Sequence, residues 1–261
     1  MSIGEKFKAA SLAESVGGGT FIVVTAATAV LAAFPNATVQ AWLHPVLIVG
    51  ALVAVGTTAM TTICQTQGNR LLRAAQLSNA LGASIGENIR ADYFNSELSP
   101  SFLRLAATTL ENTLFTTAVL SRMLIRERFK IAVYTAVLLL LLSVRRTSTE
   151  WLLLLAQALF SADLLLAWIR MERFRARTHL VHETLRQFFL QRASTQQPNG
   201  MAIVVGAFTD YECAKDEAAL PLDSKLFAAL NSDLSARWEL LKKQVGIVGI
   251  EQTERQRGRN H

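Results

Sequence analysis

The chain has little cysteine chemistry to offer. Its two cysteines stand far apart, Cys64 at the end of an apolar run and Cys213 in the polar C-terminal part. Two thiols without ligand-like spacing give neither a metal site nor a disulfide framework. His179 and His182 share one helical turn, but no cysteine or acid pair stands at ligand spacing beside them, so they do not read as a metal site. There is no P-loop, no dinucleotide fingerprint, no HExxH and no nucleophile elbow. Nothing points to an enzyme, and no cofactor is implied. The first apolar run lacks a convincing cleavage end, which argues against a removed signal peptide. The connection after it, around Pro35 and Asn36, carries no charge at all.

What is present is mostly apolar. Of the residues, 51% are hydrophobic and 18% are charged. That is too apolar for an ordinary soluble domain and too charged for a chain wholly in lipid, so a membrane part plus a polar part fits. A run of about 20 apolar residues spans a bilayer core. Residues 16–34 form a first span, and 41–64 a second with Trp42 as its interfacial anchor. Residues 129–144 and 151–169 form a hairpin of two further runs, separated by the polar break RRTSTE. The reading is an all-α membrane protein with four transmembrane helices and a helical cytoplasmic domain built on extensions of the spans. Its divisions are 1–64, a first transmembrane pair; 65–128, a cytoplasmic helical insert; 129–169, the second hairpin; and 170–261, a helical tail with a disordered end.

Small residues such as Gly17, Gly50 and Gly56 recur in the first pair, where they allow close helix packing or, at Gly17–Gly19, a hinge. In the insert, Leu71, Ala74, Leu77, Leu81, Ile85 and Ile89 recur at helical spacing. A break at 95–101 follows, with Ser99 as N-cap and Pro100 at the first helical position of the next helix. After 169 one helix runs to about Arg192, followed by a linker at 194–200. Residues 201–208 read equally as a short helix or a buried strand. Pro221 and Asp223 then open a helix bearing Phe227, Leu230, Leu234, Trp238, Leu241 and Val245.

Charge sets the orientation. The insert holds seven Lys and Arg, the stretch 170–192 six, the hairpin tip two (Arg145 and Arg146), and the first loop none. The positive-inside rule places the insert and both termini in the cytoplasm. The net charge of +6 then reflects membrane orientation and does not indicate duplex nucleic-acid binding.

Asp163 is the sharpest candidate, because a charge at mid-span costs about 2.5–3.5 kcal/mol on insertion scales. It is either a neutral or paired group bonded to Tyr134 or Thr135, an acid on an ion path, or a side chain reaching for the interface. Arg170, Arg173, Arg175 and Arg177 read as a lipid anchor or as a site for an anionic ligand. In the insert, Glu87, Asn88 and Arg90 in ENIRADYFN, and Glu111 and Asn112 in LENTLF, are interhelical polar contacts or parts of a ligand pocket.

Two features together resemble a known family. One is the layout: a pair of spans, an insert with NIRADYFN and LENTLF, a second pair, and a helical tail. The other is the tail segment 208–243, with Tyr211-Glu212, Leu220-Pro221, Asn231 and Trp238. Both are similar to the SMODS-associated four-transmembrane effectors of bacterial anti-phage nucleotide signalling. The stretch that follows the second span in that family is replaced here by AAQLSNALGASIGENIR, and the resemblance carries over no binding residue. It implies a homo-oligomeric effector in the inner membrane. Such a protein receives a cyclic nucleotide or oligonucleotide signal and disrupts the bilayer. Two other functions fit the residues: a small oligomeric channel or transporter using Asp163, and a membrane scaffold for cytoplasmic partners.

Overall fold

A computed structural model of the chain describes residues 3–33, 37–83, 98–143, 162–191, 198–248 and 250. These residues form six helices and no strand: α1 (Ile3–Ala33), α2 (Ala37–Leu81), α3 (Phe102–Ser143), α4 (Ala162–Leu190), α5 (Pro198–Ala218) and α6 (Ser224–Gln244). The all-α reading holds for them. They divide into two compact units. One comprises Met1–Gly68 and Leu124–Arg170, the other Asn69–Met123 and Met171–His261.

In the first unit α1 and α2 run antiparallel. Lys6 Nζ donates to Gln67 Oε1 at 2.6 Å, the Phe7 ring faces Gly68, and Val24 faces Gly50. At Gly50 the approach is so close that a Cβ would stand 2.4 Å from a Val24 methyl. This register sets the charged start of α1 beside Gln67 and Gly68, and the apolar remainder of α1 beside the apolar start of α2. Thr20, Thr28, Thr57 and Thr62 each turn their hydroxyl onto a carbonyl of their own helix. Their donors therefore require no outside partner, as an apolar surrounding demands. The outer faces carry large exposed apolar side chains, among them Trp42, Ile48, Leu52 and Val55.

Two helices among the described residues are long and apolar enough to cross a membrane, Gly4–Thr28 and Thr38–Leu81. Of their most apolar windows only 11% and 6% are buried by protein. The four-span reading extends further. Residues 129–143 of the third run form the end of α3 and 162–169 of the fourth form the start of α4, while 144–161 lie outside the described residues.

In the second unit α3 is central. Leu105 to Leu110 are all buried, so no face of that stretch meets water. Phe174, Leu185, Phe188, Val204, Phe208 and Trp238 from α4, α5 and α6 close the core around it. At about 25 cal/mol per Å² of apolar area, burial of this kind is the main force holding the helices together.

Local signals set the ends, with three corrections to the sequence reading. The helical spacing through Ile85 and Ile89 predicts a longer α2, but the helix ends at Leu81. Gly82 follows at φ 67, a left-handed conformation that costs glycine nothing, and a Cβ there would meet Pro100 at 2.9 Å. The cap of α3 is Ser101, not Ser99: its Oγ accepts from the Arg104 amide at 3.2 Å, the N-cap to N3 bond. Residues 201–208 are helical, and α5 starts within the expected linker at Pro198, where a missing N–H costs nothing. Asp223 does open α6, its carboxylate accepting from the amides of Lys225 and Leu226.

Candidate functional site

The helices of the second unit meet through polar pairs set into the apolar core. Between α2 and α3, Gln76 is buried; its Nε2 donates to Thr109 Oγ1 at 3.1 Å and its Oε1 accepts from Asn112 Nδ2 at 3.2 Å. Between α3 and α4, Thr113 meets His182, and Arg175 Nε donates to Ser121 Oγ at 3.1 Å. Between those two pairs in sequence, the buried hydroxyls of Thr117 and Thr178 have no hydrogen-bond partner among the described residues. The hydroxyls of Thr116 on α3 and Tyr211 on α5 are 2.9 Å apart.

The densest cluster joins α2 to α5. Arg73 Nε donates to Glu212 Oε2 at 3.2 Å, and Arg73 Nη2 donates to Asp216 Oδ2. Asn69 Nδ2 donates to Asp216 Oδ1 at 3.1 Å, and Lys215 Nζ donates to Glu212 Oε1 at 2.7 Å. Glu212 is 2% exposed, and each of its carboxylate oxygens faces one of these two cations. Burial lowers the Arg73 pKa, but the hydrogen bonds to Asp216 and Glu212 outweigh it and raise the group above its ordinary value. On the other side of α5, Arg177 Nη1 donates to Glu217 Oε2 at 2.5 Å, which raises the arginine and lowers the carboxylate. Their side chains are 36% and 57% exposed, so this pair adds little to stability.

The sequence candidates fall into several groups. Asn112 is an interhelical contact, as above. Glu111 sits half-buried on α3, its pKa raised first by burial, lowered in part by Lys242 and raised again by Glu239. Arg175 and Arg177 hydrogen-bond protein partners, Ser121 and Glu217; Arg170 Nε bonds the Leu166 carbonyl of its own helix, and Arg173 is exposed. Glu87, Asn88 and Arg90 lie outside the described residues, as do the side chains of Tyr134 and Asp163. Tyr211, Glu212 and Trp238 of the tail motif are buried in the second unit, and Asn231 is exposed. Among the described residues no cluster of His, Cys, Asp or Glu could hold a metal ion.

Sequence reasoning missed Asn69, Arg73, Gln76, Asp216 and the threonine stripe of α3. A signal was available in TTLENTLFTT, where hydroxyls recur at helical spacing beside buried leucines. No protein-family model, curated protein or solved structure matches the chain.

Proposed function

We propose that the chain is a membrane effector whose helical second unit lies in the cytoplasm, receives a signal there, and changes the state of the membrane helices so that the bilayer leaks. The observation that carries this reading is the continuity of α2. One unbroken helix holds both the apolar stretch after Ala37 and the polar residues, Asn69 to Gln76, that clasp α3 and α5. A continuous element shared by the two units is what a coupling mechanism requires. The polar helix interfaces support the same reading, since such contacts exchange for water more readily than packed apolar side chains.

The finer parts rest on charge asymmetry and on the tail resemblance. Four spans cross the bacterial inner membrane, and both termini are inside. Copies of the chain assemble into a homo-oligomer. The signal is a cyclic nucleotide or oligonucleotide made in response to phage, and the outcome is membrane disruption.

The test is dye release from vesicles that carry the purified full chain, with and without a panel of cyclic and linear oligonucleotides. Signal-dependent release is expected. If no member of the panel provokes release, the reading fails. The Asp163→Asn variant distinguishes the channel alternative: loss of a selective ion flux with unchanged folding would favour a conducting path through that residue. Loss of partner recruitment on deleting 201–245, with no leakage from the intact chain, would favour the scaffold.

A further inference from the structure

We infer that the contact of Asn69 and Arg73 with Glu212 and Asp216 is an autoinhibitory latch. It holds α5 on the end of α2 in the resting protein and opens when the membrane helices act. This deepens the effector reading and rests on it.

The residues meet as two rungs. Asn69 and Arg73 are one turn apart on α2, and Glu212 and Asp216 are one turn apart on α5. Every oxygen of the two carboxylates has a donor: Arg73 serves one oxygen of each, Lys215 the second of Glu212, and Asn69 the second of Asp216. Arg73 and Lys215 balance Glu212 and Asp216 in charge. The closed arrangement therefore satisfies itself completely.

A partial opening does not. Glu212 is 3% exposed at its side chain, so loss of Arg73 leaves a buried carboxylate with half its partners. As plain reinforcement the contact is a poor choice, because apolar side chains of similar volume often stabilise as well as a buried ion pair or better. The cluster is also graded. Arg73 and Asp216 side chains are 35% and 34% exposed, so water or a competing charge reaches the bond between them before it reaches buried Glu212 or Asn69. The helix it releases is α2, the one that carries the apolar stretch.

The experiment uses the full chain in vesicles, as wild type, Arg73→Gln and Arg73→Lys, with hydrogen exchange and dye release read together. Arg73→Gln should raise exchange in α5 by about tenfold or more and release dye without any oligonucleotide. Arg73→Lys should restore most of the protection. Unchanged exchange in α5 overturns the latch. Raised exchange without leakage, from a chain whose wild type leaks on signal, overturns its regulatory role and leaves the effector reading intact. If no variant and no signal ever produces leakage, the effector reading falls and the autoinhibition with it. Should Arg73→Gln lose its helical signal, Asn69→Cys with Asp216→Cys, joined by a short thiol cross-linker in a Cys64→Ser, Cys213→Ser background, serves instead. The cross-linked protein should resist signal-dependent release, and full release from it overturns the proposal.

Discussion

The Nδ1 atom of His182 stands 3.1 Å from the Thr113 hydroxyl, and that hydroxyl already gives its proton to the Leu110 carbonyl at 2.8 Å. With the threonine proton on that carbonyl, the ring nitrogen is the donor and the neutral imidazole carries its proton on Nδ1. One rotatable hydroxyl thus links the Leu110 carbonyl of α3 to the His182 ring of α4.

Burial lowers the His182 pKa from 6.5; Glu183 pulls it back up, while His179 and Arg186 add to the lowering. The folded state prefers the neutral ring. Its contribution is fully present above the unfolded value and is lost as pH falls through the lower folded value. Thermal unfolding of the detergent-solubilised protein should show a loss of stability as pH falls below 6.5. His182→Asn, which keeps a donor near the Nδ1 position without titrating, should flatten that part of the profile. An unchanged slope in the variant would assign it to another group.

Glu111 works in the opposite sense. Burial raises its pKa above 4.5, so its favourable contribution is present below that value and is lost as pH rises through the folded value. Ionising the carboxylate in place therefore works against the fold. Glu111→Gln should therefore raise the melting temperature at neutral pH, with the gain disappearing in acid. A variant that melts lower at neutral pH would mean that Lys242 holds the charge better than burial penalises it.

Tyr211 tests the polar pins of the second unit. Tyr211→Phe removes the hydroxyl 2.9 Å from Thr116 and keeps the ring in the core. The expected cost is about 1 kcal/mol, read from denaturant unfolding. Leu110→Ala, at a site with no exposure, should cost about 2–5 kcal/mol and sets the scale for a packing defect in the same place. A Tyr211→Phe cost as large as the leucine deletion would mean that the hydroxyl bond organises the surrounding packing.

Gly50 tests the first unit. A Cβ there would stand 2.4 Å from Val24 Cγ2, whereas one at Gly56 meets nothing within 4 Å. Val24 is β-branched on a helix, so it has little rotamer freedom with which to yield. Gly50→Ala should destabilise by about 1–3 kcal/mol, and Val24→Ala should rescue it. Gly56→Ala should be silent. Equal effects at the two glycines, in thermal melts of the solubilised chain, would argue against the α1–α2 register.

Much of the helical pattern is legible in the residues themselves. The stripe Leu234, Trp238 and Leu241 buries as its spacing demands, and Asp223 ahead of a helical run is a cap by chemistry alone. Other features are ambiguous in sequence for identifiable reasons. Serines crowd the start of α3, and only geometry selects Ser101 over Ser99. The run MAIVVGAF is apolar with no period of its own; α5 becomes legible only when Pro198 and Tyr211 are taken into the same helix. The polar partners are the least legible. Arg73 and Glu212 are 139 positions apart, and each alone resembles an ordinary solvated charge. The LENTLF stretch points to Asn112, but its partner Gln76 lies 36 positions away and carries no mark in sequence.

The length of α2 sets how many partners it can meet. A helix of 45 residues at about 1.5 Å per residue is roughly 67 Å of helical backbone. A bilayer's hydrocarbon core is about 30 Å thick, so the helix has about twice the length that a single crossing needs. Without a break in its helical run it carries two kinds of contact: Gly50 and Gly68 in close approach to α1, and Asn69, Arg73 and Gln76 bonded to α3 and α5.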